Sequence, residues 1–128
     1  MSNLKIVLFE DDKKRWWKMS VIIRQTRAGA EVIPFEKPEA VLQYVEENRP
    51  EIAFISAENA DGRGYFLIKK IRQLSPQTNI IAVAREYRFA QEMMKLRVSG
   101  YVTGKFTMKK VIDELQNLRF QCEERSQA

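Results

Sequence analysis

A chain of 128 residues with 45% hydrophobic and 30% charged side chains is the size of one domain, can bury a true core, and is not a disordered tail. Histidine is absent and cysteine occurs once, at Cys122, which excludes a Ser–His or Cys–His nucleophile, phosphohistidine, a cysteine–histidine metal cluster and an internal disulfide. The formal charge of +5, from 22 basic against 17 acidic residues, keeps a polyanion or an acidic protein in view as a partner.

The longest apolar runs, such as Ile80 to Ala84, fall far below the roughly 20 residues of a bilayer helix, so no membrane association is expected. Met1 to Lys5 leads into a strand-like run rather than a secretory leader, and a single cysteine suits a reducing compartment; a cytoplasmic protein is expected.

Leu4 to Phe9 is an almost continuous apolar run that ends in three acids, as in a strand buried on both faces. From Asp12 to Arg27, Trp16, Met19, Ile22/Ile23 and Thr26 recur at helical steps, with Asp11 or Asp12 as cap and Ala28-Gly29-Ala30 as stop. Glu31 to Phe35 reads as a second strand, placed at an edge by Pro34, and a helix follows from about Pro38 to before Arg49-Pro50. Glu51 to Ser56 is the third strand, with turn residues at Asn59 to Gly64 and a third helix carrying Leu67, Ile71 and Leu74 up to Ser75-Pro76. Asn79 to Ala84 forms the fourth strand, Tyr87 to Arg97 a helix, and Ser99 to Thr103 the fifth strand. A last helix capped by Thr107 places Val111, Leu115, Leu118 and Cys122 on one stripe.

Strands alternating with helices over short connections predict an α/β, doubly wound (βα)5 domain with a parallel sheet, whose crevice lies at the carboxyl ends of the strands. Three acids, Glu10, Asp11 and Asp12, stand there after the first strand; they suit either a Mg²⁺ site or the cap of the following helix. The third strand ends in Ser56, the fourth in Ala84-Arg85 and the fifth in Thr103-Gly104-Lys105, with no further carboxylate among them. Ser56 has no evident base, and Gly62-Arg63-Gly64 and Gly104-Lys105 complete no phosphate-cradling loop, so neither catalysis nor nucleotide binding is expected.

Lys5 to Asp12, Glu51 to Gly62 and Lys95 to Lys105 resemble the receiver domain of bacterial two-component response regulators, without a gap over nearly the whole chain. The resemblance implies a flavodoxin-like three-layer sandwich with strand order 2-1-3-4-5, extending over residues 1–121, with 122–128 as a polar tail or the start of a linker. It implies further that a kinase phosphohistidine donates to an aspartate, with Mg²⁺ held by the first-strand acids, that aspartate and a backbone carbonyl two residues beyond. On this chain the acidic pair falls on Glu10 and Asp11, the phosphoacceptor position on Ser56, and the carbonyl on Glu58. The switch hydroxyl falls on Ala84, the fifth-strand lysine on Gly104, and the aromatic switch on Tyr101, while Lys105 stands where proline is usual.

These departures imply a degenerate, phosphorylation-independent receiver. A serine hydroxyl is protonated at neutral pH, Mg²⁺ loses one negative ligand and binds weakly at best to Glu10 and Asp11, and Ala84 and Gly104 contact no phosphoryl group. Lys105 is a candidate to compensate by pairing with Glu10 or Asp11. No resident cofactor and no enzymatic activity are expected. The expected role is binding of a protein partner or a second copy through the face of the fourth helix, fifth strand and fifth helix, with Arg88, Met93, Met94, Lys95, Arg97, Tyr101, Lys109 and Lys110 as interface candidates. The alternatives are the receiver half of a transcription regulator whose DNA-binding part lies outside this chain, and a small-ligand sensor using the crevice. Direct nucleic-acid binding by Trp16 and Trp17 beside Lys13-Lys14-Arg15 is disfavoured, because adjacent helical residues do not face one ligand.

Overall fold

Alternation along the first strand decides how the layers stack. In β1 (Lys5–Phe9), Val7 and Phe9 point to one face and Ile6 and Leu8 to the other, and all four are fully buried. A strand with two apolar faces needs helices on both sides, and the chain provides them. The computed structural model describes residues 4–58, 63–87 and 90–122, with Ala90 described by its backbone alone.

The elements follow as α1 (Lys13–Thr26), β2 (Glu31–Phe35), α2 (Pro38–Asn48), β3 (Ile52–Ser56), α3 (Arg63–Leu74), β4 (Asn79–Ala84), α4 (Ala90–Lys95), β5 (Gly100–Thr103) and α5 (Met108–Leu115). The sheet is parallel throughout, in the order β2-β1-β3-β4-β5, so the expected doubly wound sandwich is present. Pro34 lies in edge strand β2 opposite Leu8, where its missing N–H is tolerated. One core layer joins Val7, Phe9, Ala53, Ile55 and Ile80 to α2, α3 and Met93 of α4; the other joins Ile6, Leu8, Phe54, Ile81 and Val83 to α1 and α5. Trp16 is half-buried while its neighbour Trp17 is exposed, so the two indoles part company.

Two helices are shorter than their periodicity predicts. The fourth, expected over Tyr87 to Arg97, is α-helical over Ala90–Lys95 among the described residues and ends two residues before the expected stop. Its end is set by Arg97, which enters the left-handed region at φ 58° and turns the chain into β5. The fifth, expected to carry its stripe to Cys122, stops at Leu115, although Leu118 and Cys122 still pack against the same core layer. Beyond it the backbone is taken over by the buried Asn79 amide, which accepts from the Phe120 N–H at 2.7 Å and donates to the Phe120 carbonyl at 2.9 Å. The expected continuation through Glu123-Glu124-Arg125 lies outside the described residues, as does the turn at Asn59 to Gly62.

Candidate functional site

Carboxyl ends of β1, β3 and β4 converge on a small polar cluster. Glu10 follows β1 directly and is 4% exposed; Ser56 closes β3 and is 3% exposed. The Ser56 hydroxyl donates a short hydrogen bond to Glu10 Oε1. Glu10 Oε2 accepts from the Asp12 N–H at 3.0 Å, and Arg15 Nε stands 3.5 Å from Oε1. Both carboxylate oxygens are therefore engaged, and the compensating cation is an arginine of the chain itself. Burial of a carboxylate is tolerable only with such pairing.

Asp12 is used locally. Its Oδ1 accepts from the Lys14 and Arg15 N–H groups at 3.0 and 3.2 Å, capping α1, and its Oδ2 lies 3.9 Å from Arg85 Nη2. Asp11 is exposed and has no hydrogen bond or ion pair among the described residues. Among the described residues the acid trio thus divides into a buried charge, an unpaired exposed one and a cap, and of the two expectations for it the helix cap is the one seen, carried by Asp12.

Lys105 does not do what the sequence suggests. It is exposed, makes no ion pair with Glu10 or Asp11 among the described residues, and lines a neighbouring cavity with Arg15, Lys18 and Arg85. Arg15 has taken the role, because one turn into α1 it reaches back over the end of β1, whereas Lys105 leaves β5 beyond the left-handed Gly104 (φ 69°). A signal for this was present: Lys13, Lys14 and Arg15 occupy the positive end of a helix with no acid in its first turn, an unfavourable arrangement unless carboxylates close by compensate it.

Glu58 also has a function that sequence reasoning missed. Beyond any role of its carbonyl, its side chain crosses to the loop after β4, where Oε1 accepts from the Arg85 N–H at 2.5 Å and Oε2 from the Glu86 N–H at 3.4 Å. From the other side the Tyr101 hydroxyl donates to the Glu86 carbonyl at 3.1 Å, and its ring meets Tyr87 edge-on at 6.3 Å. The loop is held between a carboxylate and a phenol. Burial, then the nearby Glu58, Glu92 and Tyr87, push the Tyr101 pKa above its ordinary value, which keeps the phenol a donor. Ala84 ends β4 fully buried, and Gly104 follows β5.

Not all the interface candidates lie on the surface. Met93 is 1% exposed and belongs to the core, since it points inward from α4, whereas Met94 beside it is 73% exposed. Lys110 is half-buried and donates to the Thr103 carbonyl at 2.7 Å, tying α5 to the end of β5 rather than facing a partner. Lys95, Arg97 and Lys109 are exposed, Lys109 beside Asp113, and Tyr101 is half-buried among them. Arg88 lies outside the described residues.

The model of the response regulator receiver domain matches residues 6–116, from the second residue of β1 to just past the end of α5. The chain belongs to the response regulator receiver family. Its fold is that of solved receivers: the Vibrio cholerae chemotaxis protein CheY4 (TM-score 0.79, 18% identity, 91% of this chain and 99% of that one), a CheY-like receiver from Methanospirillum hungatei (0.78, 17%, 90% and 92%), and a receiver from Clostridium thermocellum (0.78, 16%, 88% and 91%). No curated protein matches the chain in sequence. As a receiver domain of two-component signalling it is a signalling module, and no helix of the described residues is long and apolar enough to cross a membrane.

Proposed function

We propose that this receiver is phosphorylation-independent and works as a constitutive protein-interaction module. The observation that carries the reading is the Ser56–Glu10 hydrogen bond: at the position the family resemblance assigns to the phosphoacceptor stands a buried neutral hydroxyl, already spent on the acid beside it. The donor set does not fit a resident Mg²⁺. Glu10 has both oxygens engaged and Arg15 against it, and Ser56 replaces a charged oxygen ligand with a neutral one.

Output from such a domain requires a surface already set, and the pinned loop after β4 supports this. Glu58 and Tyr101 hold it without a phosphoryl group, fixing the approach to α4. The face formed by α4, β5 and α5 then offers Met94, Tyr87 and Tyr101 among Lys95, Arg97 and Lys109, a surface suited to a partner that is apolar at its centre and acidic at its rim. Cytoplasmic signalling through that partner, without catalysis, is the role we assign.

The test is an amide spectrum of the protein titrated with Mg²⁺ and then beryllofluoride, the acyl-phosphate mimic. The expected result is that the amides of Glu10, Asp11, Ser56 and Tyr101 stay unmoved. Saturable shifts that travel from Ser56 to Tyr101 would overturn the reading.

A further inference from the structure

Beside the Glu10–Ser56 pair, and not lined by either residue, lies a cavity of about 220 Å³. Its wall carries four cations from three parts of the chain: Arg15 and Lys18 from α1, Arg85 from the loop after β4, and Lys105 from the loop after β5. Met19 and Phe106, both buried, form its apolar part. Gly104 completes it, leaving the rim without a side chain at that point.

Four like charges around one concavity repel each other, an effect that water screens at the exposed Lys18, Arg85 and Lys105 and less at the half-buried Arg15. The carboxylates in reach relieve it only partly. Glu10 takes Arg15 through Nε, with no hydrogen bond from either Nη group among the described residues, and Asp12 stands 3.9 Å from one Arg85 nitrogen. The side chains of Lys18 and Lys105 have neither hydrogen bond nor ion pair among the described residues.

We propose that the cavity binds a small phosphomonoester, its phosphate held by Arg15, Lys18, Arg85 and Lys105 and its short stem laid against Met19 and Phe106. A phosphate carries nearly two charges and three acceptor oxygens, which guanidinium forks meet bidentately while the lysines add point charges. The volume is below the roughly 300 Å³ at which pockets for larger ligands begin, which favours a phosphate with a few carbons over a whole nucleotide. Neither Ser56 nor Glu10 lines the site, whose one link to that pair is Arg15, and Lys18, Arg85 and Lys105 report on it separately from the loss of phosphorylation.

Titration of the full chain with glycerol 3-phosphate and, separately, inorganic phosphate, followed by amide shifts, tests it. Saturable shifts at Lys18, Arg85, Gly104 and Lys105 are expected, with a dissociation constant of about 1 mM or tighter for the ester. Lys18→Gln and Lys105→Gln, each removing an exposed and unpartnered charge, should weaken binding by about tenfold while leaving the rest of the spectrum in place. Inorganic phosphate binding as tightly as the ester supports the charged half of the site, and tighter ester binding supports the stem contact as well. Shifts reproduced by sodium chloride at matched ionic strength, succinate binding as tightly as the ester, or lysine variants that bind like the parent would each overturn the proposal.

Discussion

Glu10 meets Ser56, Arg15 and the Asp12 N–H at once, so each partner can be removed separately and the cost read. Ser56→Ala leaves a buried carboxylate one donor short and should cost about 1–3 kcal/mol in urea denaturation. Ser56→Asp places a second carboxylate against the first with only Arg15 to serve both; the loss should be larger, about 3–5 kcal/mol. Mg²⁺ should restore part of that loss in Ser56→Asp and leave the parent chain unchanged, a contrast that thermal unfolding with and without the ion would show. Glu10, Ser56 and Asp12 were legible in the sequence because strand ends in a parallel sheet deliver their residues to one crevice. Arg15 and the side chain of Glu58 were not: their roles depend on where long side chains reach across elements, which chain spacing does not encode. The same limit misplaced Lys105, which lines a cavity instead of pairing with the acids, and Lys110, whose ammonium group meets a backbone carbonyl instead of a partner.

At the scale of elements, the position of α3 depends on one missing atom. A Cβ on Gly64 would lie 1.9 Å from the Ser56 carbonyl oxygen and 2.9 Å from Ala57 Cα, both backbone and neither able to swing away. Gly64→Ala should therefore cost about 1–3 kcal/mol and displace the end of β3, visible as shifts at the Ser56 and Ala57 amides. The loop after β4 is a second such junction. Glu58→Ala removes its carboxylate clamp, and hydrogen exchange at the Arg85 and Glu86 amides should quicken by about tenfold. The strands were legible almost to the residue, since period and β-branched runs end where the sheet does. The two helix ends were not, because Leu118 and Cys122 keep a helical spacing while packing from a non-helical segment, and Arg97 adopts a left-handed conformation that no composition rule requires of arginine.

Over the whole molecule, acidity acts through the β5–α5 side. Burial foremost, then Asp113, raises the Glu114 pKa above its ordinary value of 4.5, against the hydrogen bond from the Tyr101 N–H that lowers it. The folded form then holds this proton more tightly than the unfolded chain. Its contribution to stability is complete below the ordinary value and is lost as the pH rises through the raised one. Glu114→Gln should accordingly flatten the decline of stability across the upper carboxylate range, measured by urea denaturation at a series of pH values. Tyr101 repeats the sign at the alkaline end: stability tied to its proton is intact below 10.0 and falls as the pH climbs past the raised value, a fall that Tyr101→Phe should remove.

Asn79, through which the segment after α5 is fastened, gives the chain a clock of its own. Its amide also stands 3.4 Å from Cys122 Sγ, and burial, followed by Glu51, holds that thiol above its ordinary pKa and slow to react. Cys122 is half-buried, so its rate of alkylation reports how closely the segment is held to the sheet, with no label added. Asn79→Ala should speed the alkylation of Cys122 by about tenfold or more, while a partner that grips this end of the domain should slow it.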